Sequence, residues 1–302
     1  MYRPGKVKPN LSKGADTFLA PLYWKAMDSQ RPDAMLRDEK AEALVAQMAA
    51  DEHLRYQIDR IRQIRMTELL NVMRIMFTRE FDRYARDFLR RHPDAVVVHI
   101  GCGLDSRFER VGGNQPVNNQ VEWYDLDLPE VIALRRKYLG DEGERYHLLA
   151  CSVLDDAWLE VVKEHGTRLL FPRPFLFLAE TVFVYFTEAQ VRLLVLKLCD
   201  HFPGSELVFY GWRPFEGWPG NRYLSNSLFA GLMRWGFWRG EEIEDWGNGI
   251  QLLDEWGYFD RPEPRLRPFR WMAPLFRLFK PMRIFHFRLG EPAVESRTHL
   301  VD

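Results

Sequence analysis

Two glycines stand directly after a short apolar run near the middle of the chain. Residues 96–100 read V-V-V-H-I, and the run stops at Gly101, Cys102 and Gly103. A buried parallel strand that ends in glycines lets the backbone approach a ligand closely, because no side chain projects from those positions. This arrangement is typical of a loop that cradles a nucleotide-like cofactor.

A second apolar run ends in acidic residues about twenty positions later, at the spacing found for groups that hold a ribose. It reads V-E-W-Y-D-L-D-L-P, so that Asp125, Asp127 and Leu128 lie near its end. A carboxylate can accept hydrogen bonds from both ribose hydroxyls. Asp127 is the predicted ribose ligand, with Asp125 as the alternative because the two side chains share a face of a strand. Together with the glycines, this predicts an adenosine-containing cofactor.

The residues after the glycines help to distinguish between a dinucleotide and a cofactor without phosphate. A dinucleotide site would have a third glycine at position 106, where pyrophosphate meets a helix N-terminus. The chain has Asp105 and Ser106 instead. An acidic residue there should repel pyrophosphate and tolerate a sulfonium or an α-amino group. S-adenosylmethionine, which is cationic at sulfur and free of phosphate, fits better than NAD, and an NAD-dependent oxidoreductase is the weaker alternative.

Strands and helices alternate around these motifs. The spacing of apolar residues predicts helical structure over 38–89, and strand and helix then alternate from Ala95 onward. Predicted strands cover 95–100, 121–127, 146–150, 174–179, 206–210 and 283–289, and predicted helices cover 130–138, 187–202 and 223–234. This rhythm predicts an α/β fold with a doubly wound, mostly parallel sheet.

Four motifs in order resemble the leucine carboxyl methyltransferase family, above all its bacterial tetracenomycin-type polyketide O-methyltransferases. They read V-V-H-I-G-C-G-L-D-S-R-F-E-R-V, W-Y-D-L-D-L-P-E-V-I-A-L-R, S-V-L-D-D-A-W and A-E-T-V-F-V-Y-F, within residues 38–212. The resemblance implies a class I S-adenosylmethionine-dependent methyltransferase fold, Rossmann-like, with a mostly parallel seven-stranded sheet. Residues 1–90 would form an N-terminal helical cap. Residues 91–302 would form the core, with Trp-rich substrate-side insertions at 212–282.

The resemblance also implies roles for single residues. Ser152 and Val153 would lie beside the adenine, Glu180 beside the methionine portion, and Tyr185 and Trp212 beside the acceptor substrate. The full set predicted to bind the cofactor is Arg79, Gly101, Cys102, Gly103, Asp105, Asp127, Leu128, Ser152, Val153 and Glu180.

The family uses an arginine before the first strand to bind the cofactor carboxylate. Arg79 is the preferred match and Arg74 the alternative. Five helical residues turn through about 140°, so both cannot reach one ligand. His99, two residues before Gly101, is predicted to be a hydrogen-bonded core residue rather than a base.

Composition limits the partners. The formal net charge of -1 argues against a generally basic nucleic-acid binder. Cys102, Cys151 and Cys199 have no metal-ligand spacing, which predicts no metal site and a reduced, cytoplasmic setting. No apolar stretch approaches the length of a transmembrane segment. No sequence feature indicates an oligomeric state.

One basic and aromatic segment stands out near the end of the chain. Residues 265–288 hold seven Arg or Lys and no acidic residue, with several aromatic residues among them. Such a segment could contact an anionic aromatic substrate, a membrane surface or nucleic acid. With a net charge near zero, an acidic small molecule ranks above nucleic acid.

These features predict an S-adenosylmethionine-dependent O-methyltransferase that acts on a small molecule, with a carboxylate, such as one on a polyketide, as the preferred acceptor. A carboxylate is ionised at neutral pH and needs no general base, so no catalytic residue is assigned. The alternative is a catalytically degenerate module that binds S-adenosylmethionine or a partner without turnover.

Overall fold

The computed structural model describes residues 15–52, 54–64, 67–112, 120–167, 173–213 and 234–291. Four helices precede the first strand: α1 Ala15–Ser29, α2 Glu39–Ala50, α3 Arg55–Arg62 and α4 Glu68–Arg91. The helical pattern predicted over 38–89 is thus divided into three helices. Two of them begin at side-chain caps, where Asp38 accepts from the N–H of Ala41 and Thr67 from the N–H of Leu70.

The first three helices form an apolar cluster of their own. Leu22 of α1, Leu44 of α2 and Ile58 of α3 are buried together. Leu104, which follows the glycines, and Leu134 belong to the same cluster. The first three helices therefore pack directly against the residue that follows the predicted cofactor loop. The helical cap over residues 1–90 stays a prediction.

The sheet has seven strands: β1 Val96–Ile100, β2 Glu122–Asp127, β3 Tyr146–Ala150, β4 Phe175–Ala179, β5 Ser205–Trp212, β6 Gln251–Trp256 and β7 Met282–Leu289. Their order is β3-β2-β1-β4-β5-β7-β6. Strands β1 to β5 pair in parallel, whereas β7 is antiparallel to both β5 and β6. This is the mostly parallel seven-stranded sheet that the resemblance implies, and the fold prediction is confirmed.

Helices cover both faces of the sheet. The remaining ones are α5 Arg107–Arg110, α6 Pro129–Leu139, α7 Ala157–Thr167, α8 Glu188–His201, α9 Glu241–Glu244 and α10 Ala273–Phe279, with 3-10 turns at Phe183–Tyr185 and Pro264–Met272. Helix α8 opens with a capping box between Thr187 and Gln190. The helix predicted over 223–234 lies outside the described residues, apart from its last position.

Strand β1 is buried on both faces. Val96 and Val98 pack with Trp158 and Phe177 on one side, and Val97 packs with Phe88 of α4 on the other. This double burial explains why the strand is apolar except for His99. It also fixes the point at which the chain emerges into the glycine loop. Within the described residues, no helix is both long enough and apolar enough to span a bilayer.

Candidate functional site

The carboxyl ends of β1 to β4 bring the predicted cofactor residues to one edge of the sheet. Residues 101–103 follow β1, Asp127 ends β2, Ser152 follows β3 and Glu180 follows β4. Since β1 lies between β2 and β4, its glycine loop is at the centre of this edge. Ligands of open α/β sheets bind at such an edge.

The glycine loop is closely covered by its neighbours. Gly101 and Gly103 have φ values of +64° and +52°, which favour glycine. A Cβ atom on Gly101 would lie 2.4 Å from Cγ2 of Val182, and one on Gly103 would lie 3.2 Å from Cβ of Phe18. Both the backbone conformation and the space therefore require glycine at Gly101.

Asp127 holds the glycine loop in place through its side chain. One carboxylate oxygen accepts from the N–H of Gly103 at 2.8 Å, and the other accepts from the N–H of Leu128 at 2.7 Å. Burial raises the pKa of Asp127 against the effect of these two donors. Each oxygen retains a lone pair for a further donor, such as a ribose hydroxyl. The Leu128 side chain beside it is 46% exposed, which leaves an apolar surface free for a ligand.

Asp125, the alternative ribose ligand, is engaged elsewhere. It is buried in an ion pair with Arg135, and it accepts from the hydroxyl of Tyr146 at 2.6 Å and from Nε1 of Trp123 at 2.9 Å. Burial opposes its ionisation, but Arg135, His99 and Tyr146 hold its pKa below the usual value. Of the two acids, Asp127 is the one with free acceptor capacity at the edge.

The loop after β3 is organised by its own polar groups. The Ser152 hydroxyl accepts from the N–H of Leu154 at 3.2 Å, and the N–H of Ser152 donates to Asp155 at 3.2 Å. Val153 is buried, and its carbonyl accepts from Nε1 of Trp158 at 3.1 Å. The adenine contacts predicted for Ser152 and Val153 stay predictions.

Glu180 connects the end of β4 to two helices. The Thr78 hydroxyl of α4 donates to one of its oxygens at 2.8 Å, and Arg107 of α5 forms an ion pair with the other. The next residue, Thr181, has a φ of +58°, which is uncommon for a residue with a branched side chain. Such strained backbone is a feature of functional sites in many proteins.

The two candidate arginines of α4 point in different directions. Nη1 of Arg79 lies 2.7 Å from Oε2 of Glu263, which is buried in the C-terminal part of the chain. The guanidinium of Arg74 stacks 4.0 Å from the ring centroid of Trp24 in α1. Burial raises the pKa of Tyr185 to about 12, and the charge of Arg74 acts in the opposite direction. Arg74 therefore lies near the predicted site, whereas Arg79 ties α4 to another segment.

Asp105 is enclosed by three cations. Its oxygens lie 2.8 Å from Nζ of Lys25, 2.5 Å from Nη1 of Arg110 and 3.3 Å from Nη2 of Arg107. Although burial opposes ionisation, these cations hold the pKa of Asp105 well below its usual value. The three cations thus compensate the charge of Asp105. The sequence-based expectation that Asp105 by itself repels pyrophosphate did not take these cations into account.

Arg107 is the fully buried centre of this charge cluster. It donates to Asp82 at 2.9 Å and pairs with Glu180, and its Nη1 lies 2.8 Å from Nε2 of His99. Burial and the charge of Arg107 both lower the pKa of His99, whose other ring nitrogen lies 3.3 Å from Asp125. His99 is a neutral link inside the cluster, as its apolar strand predicts.

Sequence reasoning missed this cluster. Arg107 and Arg110 stand inside a motif that the family resemblance uses, so a signal for them was present. Lys25 had none, because its partner lies in a distant part of the sequence. Within the described ranges, no three His, Cys, Asp or Glu side chains stand together in a way that could hold a metal ion.

The predicted substrate residues follow or end two neighbouring strands, β4 and β5, and both pack against one apolar cluster. Tyr185 is part of the 3-10 turn that follows Glu180. Trp212 ends β5, and its Nε1 donates to the carbonyl of Trp235 at 2.8 Å. Their contacts with an acceptor stay predictions.

Comparison with known proteins decides the family. The sequence profile described as leucine carboxyl methyltransferase matches residues 19–198, which is more than half of the chain. The chain belongs to the leucine carboxyl methyltransferase family. Membership confirms the resemblance seen in the motifs, and with it the enzyme class and the cofactor, an S-adenosylmethionine-dependent methyltransferase.

Two curated relatives illustrate the family. The chain is 30% identical over 280 residues to the tetracenomycin polyketide synthesis O-methyltransferase TcmP of Streptomyces glaucescens, across 90% of this chain and 93% of that protein. It is 29% identical over 206 residues to the S-adenosyl-L-methionine-dependent methyltransferase dpfgK of Gibberella zeae, across 66% of this chain and 65% of that protein.

Solved structures share the fold at low sequence identity. A DUF574 family protein of Streptomyces avermitilis superposes with a TM-score of 0.56 and 14% identity, covering 90% of this chain and 97% of that one. A candidate methyltransferase of Thermobifida fusca superposes with a TM-score of 0.51 and 18% identity, covering 90% and 94%. These likenesses support the fold assignment made from the strand order.

Proposed function

We propose that this methyltransferase acts on an oxygen of a small molecule, and that the oxygen belongs to a carboxylate. The observation that carries this proposal is the state of the histidine nearest the glycine loop. His99 is buried, its pKa is lowered, and Arg107 occupies the nitrogen that a base would use. Each other histidine with a described side chain lies away from the carboxyl ends of β1 to β4: His92 follows α4, His147 is near the start of β3, His201 ends α8 and His286 is within β7.

A carboxylate acceptor suits a site of this kind. A carboxyl group with an unperturbed pKa near 4 is ionised at neutral pH, so no proton has to be removed. A phenol, with a pKa near 10, would need a base. Tyr185 cannot serve as one near neutral pH because burial raises its pKa to about 12. Catalysis would then consist of positioning the acceptor and excluding water. The name of TcmP favours a polyketide as the small molecule.

The residues at the edge fit the parts of the cofactor. Bound S-adenosylmethionine would supply an electrophilic methyl group. Asp127 would accept from the ribose hydroxyls, for which it keeps one lone pair on each oxygen. Leu128 would cover one side of the adenosine, with Ser152 and Val153 beside the adenine. Glu180 would accept from the α-amino group.

We assign the cofactor carboxylate to Arg74 rather than Arg79. Arg74 stands one helical turn before Thr78, and Thr78 contacts Glu180. It therefore projects from the face of α4 that meets the end of β4. Arg79 is turned toward Glu263 and would have to break a 2.7 Å ion pair to reach the edge.

The test compares acceptors that differ in one group. The protein is incubated with methyl-labelled S-adenosylmethionine and, separately, with aromatic carboxylic acids and with phenols of the same ring system. We expect label in a methyl ester, which mild base hydrolyses to methanol. Label in a base-stable methyl ether would overturn the carboxylate assignment. Tight cofactor binding without any methylated product across the panel would favour the degenerate binding module instead.

A further inference from the structure

A cluster of exposed apolar side chains lies far along the chain, where Pro264–Met272 and α10 form one continuous stretch. We refer to residues 264–280 as the 264–280 surface. Trp271 is 75% exposed, Leu275 is 38% exposed and Leu278 is 72% exposed. Their spacing of four and three residues places them on one side of a helical stretch. Isolated exposed leucines are ordinary, but a Trp and two Leu side by side form a patch.

The opposite side of the same stretch is anchored in the core. Leu266 and Phe276 are buried, and the Phe276 ring centroid lies 5.3 Å from that of Phe259 and 5.9 Å from that of Tyr258. The packed inner face therefore holds the exposed residues outward. The apolar patch is formed before any partner binds.

The charges of the 264–280 surface are of one sign. It contains no acidic residue. Arg267, Arg270 and Arg277 are exposed, and none of them forms an ion pair with a described residue. By contrast, Arg265 pairs with Asp28 at 2.5 Å and Lys280 with Glu255 at 2.6 Å. Three uncompensated guanidinium groups thus border the apolar patch.

We propose that the 264–280 surface docks on an anionic phospholipid bilayer. Arginine side chains pair with lipid phosphates, tryptophan favours the interface between headgroups and acyl chains, and leucine enters the acyl region. Charge complementarity selects this occupant, because a twofold contact between two copies would bring the same three arginines together. The site would hold the enzyme at the membrane surface without a membrane-spanning helix.

The test is vesicle flotation of the full chain. Vesicles contain either phosphatidylcholine alone or phosphatidylcholine mixed with phosphatidylglycerol. We expect binding to the anionic vesicles only, weakened by salt. Each arginine near such a surface contributes about a fivefold factor, so replacing Arg267, Arg270 and Arg277 with Gln should weaken partitioning roughly a hundredfold. Replacing Trp271 and Leu278 with Ser should also weaken partitioning onto the anionic vesicles. This variant loses apolar contact with the bilayer and inserts less deeply into it.

A matched control lies on α8. Arg192 and Leu193 are both exposed, Leu193 by 56%, and an R192Q/L193S variant should bind vesicles as the parent chain does. Cofactor binding by calorimetry shows that each variant is folded. Equal binding to both vesicle types, no binding to either, or equal loss in the control would overturn the proposal. So would self-association without lipid that disappears with Trp271 and Leu278, since it would identify a second copy as the occupant.

Discussion

Arg74 and Arg79 form a matched pair of substitutions, because both are partly buried arginines of α4. Methionine is a suitable replacement for each, since it retains the apolar stem and helix propensity and removes the guanidinium group with its charge and its N–H donors. We expect the two variants to differ in what they lose. Arg74→Met should weaken S-adenosylmethionine binding, and Arg79→Met should lower the stability of the fold while binding stays unchanged.

The magnitudes follow from the contacts of each guanidinium. A hydrogen bond to a charged group contributes about 1.5–3 kcal/mol, so Arg74→Met should raise Kd roughly 10- to 150-fold. Its contact with Trp24 adds only about 0.5–1 kcal/mol to stability. In Arg79→Met the Glu263 carboxylate loses its arginine partner, although its side chain is only 4% exposed. The backbone N–H of Arg265, at 3.2 Å, stays as a hydrogen-bond donor to it. A buried charge that has lost its counter-ion in this way costs about 1–3 kcal/mol of unfolding free energy.

Calorimetric titration with S-adenosylmethionine measures the first effect, and urea unfolding without cofactor measures the second. Titration with adenosine alone adds a control: because adenosine has no carboxylate, Arg74→Met should leave its affinity unchanged. The reasoning is refuted if Arg79→Met weakens S-adenosylmethionine binding as strongly as Arg74→Met does, since Arg79 would then be the carboxylate ligand.

Three further outcomes are expected. Asp127→Asn should weaken cofactor binding by about 1.5–3 kcal/mol through loss of charged hydrogen bonds, and unchanged affinity by calorimetry in a folded variant would remove it from the site. Gly101→Ala should lower the free energy of unfolding in urea by about 3 kcal/mol, because its new Cβ atom would lie 2.4 Å from Val182. Gly247→Ala is the control, with a φ of +92° and no described neighbour within 4 Å of the new Cβ atom, and it should lower that free energy by only about 1 kcal/mol. Burial opposes ionisation of Glu206, but its partners lower its pKa from 4.5 to about 2, so the stability it adds is present above pH 4.5 and declines toward pH 2. Unfolding of Glu206→Gln across this range should therefore converge on the parent as pH falls; a constant difference would contradict the assignment.

The strands and the site edge were predictable because their signals are local. A short run rich in valine that ends in glycines, such as that of β1, favours a strand buried on both faces over a helix. Thr187 begins α8 with a capping box, so that boundary can be read within four residues. The predicted site residues directly follow or end these strands. Because the strands pair in parallel, their carboxyl ends lie at one edge of the sheet. The pairing alone therefore brings the predicted site residues together.

The contacts that organise the edge were not predictable in the same way. Helix α1 contains Pro21 and falls outside the region where helical spacing was recognised, so Lys25 had no assigned position. Its approach to Asp105 depends on how α1 packs against the residues that follow β1. The choice between Arg74 and Arg79 is similar: helix geometry separates them by about 140°, but only the packing of α4 decides which one faces the site.

The charge at the glycine loop illustrates how far a single residue can mislead. Asp105 does not act alone, because Lys25, Arg107 and Arg110 surround it. The buried and half-buried members of the connected cluster, among the described residues, are the carboxylates of Asp38, Asp82, Asp105, Asp125 and Glu180 and the cations of Lys25, Arg107, Arg110 and Arg135. The exposed Arg86 also belongs to the cluster, because its Nη2 lies 3.9 Å from Oδ2 of Asp82. With His99 neutral, five carboxylates therefore face five cations, and their charges balance.

Selectivity against phosphate then rests on another feature of the loop. Helix α5 spans only Arg107–Arg110, a single turn, and so offers little of the N-terminal dipole on which pyrophosphate sites depend. Beside such a weak dipole, a cluster whose cations are all paired offers no free positive charge to a phosphate. Of the cluster's carboxylates, Glu180 is at the end of a strand and is only half-buried, so a negative charge is accessible where an α-amino group or a sulfonium would lie. The preference for S-adenosylmethionine over NAD is therefore explained by the short helix and by Glu180 rather than by Asp105 alone.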